Sequence, residues 1–322
     1  MINIVKYSNK RQDEWDSFLL ESNAPKLLFK RDYMDYHKKK FHDFSLMVYN
    51  NKQQIIALLP GHIENTCYYS HFGLTYGSFI LKQNIKLSES VVVLRAVIKY
   101  LKDKGFTELF IKSIPSFYYL QNTELLNWTI SLLSPKIIGI NLFFVLNLSD
   151  PIRIQKRRLR SIKKAIKAGI EIKIKTSLEE YWTEILCPHL KEKFNNSPVH
   201  SLEEIQQLAE KNSIYQCSAY LDGEIVAGAT IYDFGHVVKA QYIASNDLGR
   251  KSGAIDLLFH ELIHKFKGSK KFFDLGTAND SISEKLNFGL VDWKEGLGAS
   301  VYQQIIYKID NTNYKKLDDY DR

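Results

Sequence analysis

Clusters of apolar residues separated by polar turns predict an α+β arrangement in the first half of the chain. Two short apolar stretches, Phe44–Val48 and Ile55–Leu59, flank a polar turn and predict a β-hairpin, and Thr66–His71 predicts a third strand. A longer amphipathic stretch predicts a helix over about Glu89–Lys102, and a strand follows at Leu109–Ile111. The pattern therefore predicts an antiparallel meander, then a helix, then a further strand.

The second half of the chain repeats this order of elements. Ile214–Tyr220 and Ile225–Tyr232 flank an Asp-Gly turn, which is a strong hairpin signal, and Val237–Ala244 predicts the third strand. A helix is predicted over about Gly253–Phe266, and Phe272–Asp274 predicts a strand that we expect to pair in parallel with the third strand. The recurrence predicts two tandem domains, 1–150 and 151–322, each with a mixed, mainly antiparallel sheet flanked by helices.

A strongly basic helix is predicted at the start of the second domain. Asp150 and Pro151 supply a helix start, and Gly169 stands where a left-handed residue would end the helix. Eight positive charges and no negative charge lie between Arg153 and Lys167. Two interpretations stay open: a solvated connector between domains, or a face that binds the phosphates of a nucleotide-linked substrate or RNA.

Composition narrows the class of protein. The 322 residues carry a net charge of +8, with 45% hydrophobic and 25% charged residues, as in an ordinary globular chain. No apolar stretch reaches the roughly 18 residues of a membrane-spanning helix, and no signal-peptide pattern begins the chain. The three cysteines are far apart and lack CxxC spacing, which predicts neither a disulfide framework nor a thiolate zinc site. We therefore expect a cytoplasmic protein; the oligomeric state stays open.

One motif match points to a metal, and its helical phasing argues against it. His260 to His264 fits HExxH, in which two histidines one turn apart bind zinc, and Glu284 follows as a possible third ligand. The apolar residues of this helix cluster on the opposite side, so both histidines are predicted to face solvent. We predict no metal site. The chain also lacks the GxSxG, Walker and GxGxxG motifs.

Asp274 and Lys294 are the most informative polar residues of the second half. Asp274 ends an apolar strand, where an isolated carboxylate is costly, and Lys294 follows Trp293 in a glycine-rich stretch. In a structural interpretation the two form a buried ion pair. In a catalytic interpretation the lysine stabilises negative charge on an attacked carbonyl, as acyl transfer requires.

Five segments of the chain resemble the Fem-related branch of the GNAT superfamily. They are Ser70–Gly77, Ser197–Ile205, Gln241–Ser245, Gly253–Phe259 and Leu286–Ala299, the last with the sequence LNFGLVDWKEGLGA. The resemblance covers roughly residues 10–308 and implies tandem GNAT-like domains with an active cleft between them. It also implies that Lys294 matches a functionally important lysine of Fem-type peptidyltransferases.

The resemblance further implies an N-acyltransferase of surface-polysaccharide or cell-wall metabolism. The donor would be acetyl-CoA or another acyl-CoA, with Arg250, Lys251 and Gly253 as cofactor-binding residues, although the glycine motif ends in Ile255. Aminoacyl-tRNA is the alternative donor, but the chain has no candidate for the long helical arm of some Fem proteins. The acceptor would be an amine on a nucleotide-linked sugar or peptidoglycan precursor.

Roles for the remaining candidates follow from the same hypothesis. Lys294 and Asp274 are assigned to catalysis: Lys294 would stabilise the oxyanion or bind donor phosphate, and Asp274 would orient the lysine or accept the amine proton through water. A histidine could also accept the proton of the attacking amine. His200 is the candidate for that base, with His71 as the alternative. The candidate substrate-binding residues are His71, Tyr76, Gln241, Tyr242 and Arg158. The competing hypothesis is a catalytically inactive GNAT-like module whose basic helix holds RNA or an anionic glycan.

Overall fold

The computed structural model describes residues 2–35, 40–120, 124–279 and 285–320. The chain divides into two compact units: one comprises the residues up to Asn141 and those from Gln303 onward, and the other comprises Leu142–Tyr302. The predicted boundary at 150/151 differs from this division, and so does the predicted assignment of the C-terminal segment. Ile309 and Leu317 are buried in the hydrophobic core of the first unit, which explains why the last residues belong there.

Strands of the first unit form two sets. The strands are β1 (Asn3–Lys6), β2 (Leu46–Tyr49), β3 (Ile55–Leu59), β4 (His62–Glu64), β5 (Cys67–Tyr69), β6 (Ile80–Leu81), β7 (Glu108–Lys112) and the end of β14 (Ser300–Asp310). The first set has the order β1-β2-β3-β6, and all its neighbouring strands are antiparallel. The second set has the order β4-β5-β7-β14, and its pair β5 and β7 is parallel.

Helices of the first unit cover its core. Val93, Leu94, Val97 and Leu101 recur at helical spacing on one face of the longest helix and are fully buried, so this face packs on the strands. The helices are α1 (Gln12–Glu21), α2 (Arg31–Met34), α3 (Leu87–Asp103) and α4 (Glu124–Leu132). Short 3₁₀ helices lie at Asn9–Arg11, Leu27–Phe29, Ser116–Tyr118 and Asn311–Tyr320.

The second unit contains six neighbouring strands of one sheet. They are β8 (Lys136–Asn147), β9 (Glu171–Thr176), β10 (Ile214–Leu221), β11 (Glu224–Asp233), β12 (Val237–Ser245) and β13 (Phe272–Thr277). Their order is β8-β13-β12-β11-β10-β9, and among their described registers only the pair β12 and β13 is parallel. Its helices are α5 (Lys156–Lys167), α6 (Leu178–Tyr181), a π-helical turn (Trp182–Leu186), α7 (Cys187–Phe194), α8 (Leu202–Lys211), α9 (Asp247–Ser252), α10 (Ala254–Phe266) and α11 (Phe288–Gly296).

The predicted fold class is confirmed, and the parallel strand pairs are where we expected them. In each unit the third predicted strand pairs in parallel with the strand that follows the helix. The meander prediction is right for β10, β11 and β12 but wrong for the first unit, where β5 pairs with β4 and β7 instead of the hairpin. Gly61 lies just before β4, and an added Cβ there would lie 2.1 Å from the Tyr68 hydroxyl.

The basic helix α5 begins later than the sequence predicted. Asp150 closes a turn after β8 by accepting a hydrogen bond from the Asn147 side chain, and the helix starts only after Gln155. Gly169 does follow the helix in a left-handed conformation, with φ of +79°, as predicted. Within the described ranges, no helix is both long and apolar enough to cross a membrane.

Candidate functional site

One cavity of the second unit lies where two parallel strands part. β12 and β13 pair only between Val237–Lys239 and Phe272–Asp274. Just beyond, β12 has a bulge: Ala240 and Tyr242 oppose consecutive residues of β11, so Gln241 is the extra residue. A cavity of about 780 Å³ occupies this region and is lined by both strands beyond their last shared pair. Main-chain groups in this region are suited to bind an elongated ligand that contains amides.

The lining of this cavity is strongly cationic. Five positively charged residues and one carboxylate, Asp256, are among its described lining residues. The cations are Arg158, Lys193, Lys239, Arg250 and Lys294. Charge of one sign in a concave site concentrates ligands of the opposite sign, so the cavity favours an anionic ligand.

Lys294 is held rigidly in the wall of this cavity. The sequence suggested an irregular glycine-rich stretch, but Asn287 caps α11 by accepting a hydrogen bond from the Leu290 amide, and Lys294 lies in the last turn. Its Nζ donates to the carbonyl oxygens of Gly276 (3.1 Å) and Thr277 (2.5 Å). Because an ammonium has three donors, one N–H is left for a ligand.

Burial changes the protonation of Lys294. Only 3% of the residue is exposed, and the Phe144 ring centroid lies 5.6 Å from its Nζ. Desolvation lowers the pKa of Lys294 to about 8, against the opposing attraction of the Asp274 carboxylate. The lysine is therefore still mostly charged at neutral pH.

Asp274 supports Lys294 through its charge. Asp274 is fully buried, and its carboxylate accepts a hydrogen bond from the Gly276 amide at 2.7 Å. Lys239, its neighbour across the parallel pair, is also buried, and its pKa is lowered by desolvation. The hydrogen bonds of Lys294 run to carbonyl groups, and Asp274 acts on it by charge. The structural hypothesis of a buried Asp274–Lys294 ion pair stays a prediction.

Three helices meet at Asp256 on another side of the cavity. Arg158 of α5 donates to the Asp256 carboxylate at 3.3 Å, and Trp293 Nε1 of α11 donates to it at 2.9 Å. Gly296 permits the arginine to pass, because an added Cβ would lie 3.2 Å from the Arg158 Cγ and Nε atoms. Arg158 is thus positioned at the cavity by contacts with two other helices.

The loop before α10 brings backbone close to the ligand space. Asn246 caps α9 by accepting from the Gly249 amide, and Arg250 donates to the Ser245 carbonyl oxygen at 3.1 Å. Gly253 has φ of +84°, and an added Cβ would lie 2.5 Å from the Ser161 hydroxyl. Gly249, Arg250 and Gly253 line the cavity, and the cofactor-binding role of Arg250 and Gly253 stays a prediction.

His189 is a cavity residue that the sequence did not single out. It lies on α7, and desolvation lowers its pKa, with the charges of Lys193 and Arg250 acting in the same direction. A backbone hydrogen bond at Ser245 holds the ring. The imidazole is therefore predominantly neutral at pH 7 and can accept a proton. Lys239 also lines the cavity, and the sequence carried a signal for it, because this lysine interrupts an apolar strand. For His189 the sequence carried no signal, because no pattern indicated that it lies beside β12.

The predicted site residues fall into separate groups. The described cavity lining includes Arg158, Gln241, Arg250, Gly253 and Lys294, with Asp274 acting on it by charge. Three other predicted residues are not among the described lining residues: His200, Tyr242 and Lys251. For Tyr242 the reason is the bulge after Ala240, because a bulge turns the following side chain away from the side of Ala240.

His200 and Tyr242 instead form a buried pair, with 2.6 Å between His200 Nδ1 and the tyrosine hydroxyl. The Trp182 ring packs edge-on against Tyr242, at 5.0 Å between centroids.

His71 and Tyr76 lie in the first unit. His71 is buried with φ of +60°, and Tyr76 packs against Tyr118 at 4.8 Å between centroids. Roles for these four residues stay predictions.

The HExxH histidines lie as their phasing predicted. His264 is exposed and His260 is partly exposed on α10, with 3.2 Å between their Nε2 atoms. Residues on the opposite side of the helix, including Leu258 and Leu262, are fully buried. Glu284, the third ligand that such a site would use, lies outside the described residues.

Comparison with solved structures identifies the fold. FemX superposes with a TM-score of 0.66 at 10% identity, over 98% of this chain and 99% of that one. L-PGS from Bacillus licheniformis gives 0.61 at 14% identity, over 93% and 91%. A tandem GNAT protein from the clavulanic acid biosynthesis pathway gives 0.50 at 10% identity, over 97% and 99%.

The chain has the Fem-related, GNAT-like fold. A scan against protein-family models finds no match, and a search of curated proteins finds none either. At 10–14% identity these likenesses concern the fold. The chemistry must therefore be argued from the cavity itself.

Proposed function

We propose that this Fem-related protein is an N-acyltransferase that moves an acyl or aminoacyl group from a phosphate-bearing donor to an amine. The donor is acetyl-CoA or another acyl-CoA, with aminoacyl-tRNA as the alternative. The acceptor is an amine on a nucleotide-linked sugar or a cell-wall or surface-polysaccharide precursor. The fold likeness to FemX and L-PGS and the earlier sequence resemblance support this class.

The position of Lys294 is the observation that carries the proposal. Acyl transfer to an amine passes through a tetrahedral intermediate whose oxygen carries negative charge. A buried ammonium with two donors fixed on Gly276 and Thr277 directs its remaining donor with little loss of entropy. Because the site is largely removed from water, its interaction with the developing charge is stronger than in solvent.

The other end of the cavity supports a phosphate-bearing donor. Arg250 and Lys193 supply charge beside Gly249 and Gly253, which line the cavity. The absence of a Cβ lets these two glycines pack closely against Val226 and Ser161, which fixes the backbone at the cavity wall. The N-terminus of α10 adds backbone N–H groups and a favourable dipole for an anion. The parted edges of β12 and β13 then suit the amide-containing arm of an acyl-CoA.

Proton transfer completes the reaction. The acceptor amine must lose a proton when it forms the new C–N bond, and the leaving thiolate or ribose oxygen must gain one. His189 is a predominantly neutral imidazole in the same cavity, so it is our candidate for the base, directly or through water. The sequence-based candidate His200 is instead engaged with Tyr242.

Ligand-dependent melting of the full chain tests this proposal. We expect acetyl-CoA at a hundredfold excess over its Kd to raise the free energy of unfolding by about 2.7 kcal/mol. Arg250→Gln should weaken that effect at least tenfold in Kd. Lys251→Gln is the matched control. It removes the charge of the adjacent residue, and Lys251 is not among the described lining residues of the cavity.

Parallel melts with aminoacyl-tRNA and with nucleotide sugars distinguish the donors and acceptors. Transfer of labelled acetyl to a nucleotide-linked amino sugar would establish the reaction. If no donor changes the melting temperature, or if Arg250→Gln and Lys251→Gln behave alike, the proposed donor site is wrong.

A further inference from the structure

The outward face of α5 carries a continuous cationic stripe. Helical spacing places every third or fourth residue on the side opposite the buried Ile162 and Ala165, which pack into the core of the second unit. All four residues of this outward stripe are exposed and positively charged. They are Lys156, Arg160, Lys163 and Lys167.

The stripe differs from two arginines of the same helix that pair with carboxylates, whereas Lys164, next to the stripe, is exposed like it. Arg157 pairs with Asp292, and Arg158 pairs with Asp256. Within the part of the chain that the structure describes, no carboxylate pairs with any of the four stripe residues. The inner cations therefore hold the helix on its unit, and the outer ones are left for an external anion.

Two aliphatic side chains border the stripe along one edge. Leu159 is 40% exposed and Ile166 is 59% exposed, and they lie two turns apart on the same side. A shallow cavity of about 380 Å³ lies among Lys156, Leu159, Arg160 and Lys163. The exposed surface is thus both cationic and apolar, with the apolar part beside the charges.

We propose that this face of α5 docks the protein on a bilayer that contains anionic lipids. Headgroup phosphates would bind the stripe, while Leu159 and Ile166 would enter the boundary between headgroups and acyl chains. RNA fits the face less well. Three of the four stripe cations are lysines, α5 carries no aromatic residue for base stacking, and a polyanion in water leaves the aliphatic edge uncovered.

Vesicle co-sedimentation tests the proposal on the full chain. The probes are phosphatidylcholine vesicles with 30 mol% phosphatidylglycerol and pure phosphatidylcholine vesicles. Each lysine near an anionic surface contributes about fivefold in affinity, so Lys163→Gln/Lys167→Gln should weaken binding to the anionic vesicles about 30-fold. Lys315→Gln/Lys316→Gln, which removes two exposed lysines elsewhere, is the matched control and should change binding less than twofold.

Substitution of the two aliphatic residues beside the stripe gives an independent test of the proposal. Leu159→Ser/Ile166→Ser keeps every charge, and we expect it to weaken vesicle binding by at least about tenfold. The proposal is wrong if the wild-type protein does not sediment with anionic vesicles, or if both lysine pairs have equal effects. Binding of RNA that depends on Lys163 and Lys167 but not on Leu159 and Ile166, without vesicle binding, would assign the face to nucleic acid instead.

Discussion

Replacing Lys294 by methionine separates catalysis from structural support at this site. The change removes the ammonium and keeps an unbranched side chain of similar length in a buried position. If Lys294 stabilises charge that develops only in the transition state, Lys294→Met should lower kcat by about a hundredfold to a thousandfold. KM should change little, since binding of the ground state does not use that donor.

The expected effect on stability follows from the surroundings of the lysine. A pKa lowered from 10.5 to about 8 means that burial disfavours the charged form by about 3 kcal/mol. Methionine removes this cost. It also removes the hydrogen bonds to the Gly276 and Thr277 carbonyls, each worth about 1–3 kcal/mol when the carbonyl is left buried without a partner. Because these effects oppose one another, we expect the free energy of unfolding to change by less than about 2 kcal/mol.

Turnover and urea unfolding should be measured on the same preparation. The assay is transfer of labelled acyl from the donor identified by melting, with kcat and KM determined separately. Lys251→Met is the matched control, since that lysine is exposed and is not among the described lining residues of the cavity. It should retain wild-type kcat and stability.

One pattern of results would refute the reasoning. A folded Lys294→Met protein with undiminished kcat would show that the lysine does not act in the transition state. A loss of about 3–5 kcal/mol in the free energy of unfolding, with kcat intact, would indicate the cost of breaking a buried ion pair. In that case Lys294 and Asp274 would be structural residues.

Three further predictions concern pH and backbone geometry. Because Lys294 loses its proton near pH 8, kcat should fall above that pH; an unchanged kcat up to pH 9.5 would contradict the catalytic role. The unfolded chain keeps this proton up to about pH 10.5, so wild-type stability relative to Lys294→Met should rise between pH 8 and 10.5, as urea unfolding would measure. Gly253→Ala should destabilise the fold by more than Gly223→Ala, because both have φ near +85° but only the first would place a Cβ 2.5 Å from Ser161. Equal losses in thermal melts would mean that the α5–α10 contact adjusts freely.

Much of the fold followed from local pattern. The Asp-Gly turn predicted the hairpin of β10 and β11, and helical periodicity predicted α3 and α10 to within two residues. These signals are local, because a turn type and an amphipathic face depend on neighbouring residues. α5, by contrast, begins after Gln155, and the carboxylate of Asp150 is engaged with Asn147; sequence spacing alone indicated neither.

The candidate site was predictable only in part. Lys294, Arg250 and Gly253 carried sequence signals, and the structure brings them to one cavity. The bulge at Gln241 separated Tyr242 from that cavity, although both are in one short motif. A bulge reverses the face of the residues after it, so no alternation pattern could assign them.

The sequence by itself determined the order of elements, the charge of α5 and the residue types available for the proposed acyl transfer. The tertiary structure alone decided which of those residues share a cavity. It joined His189 of α7, Lys239 of β12 and Asp256 of α10, which lie between 17 and 67 positions apart in the chain. Tertiary packing also lowers the pKa of Lys294, because desolvation depends on surrounding atoms that local sequence does not specify.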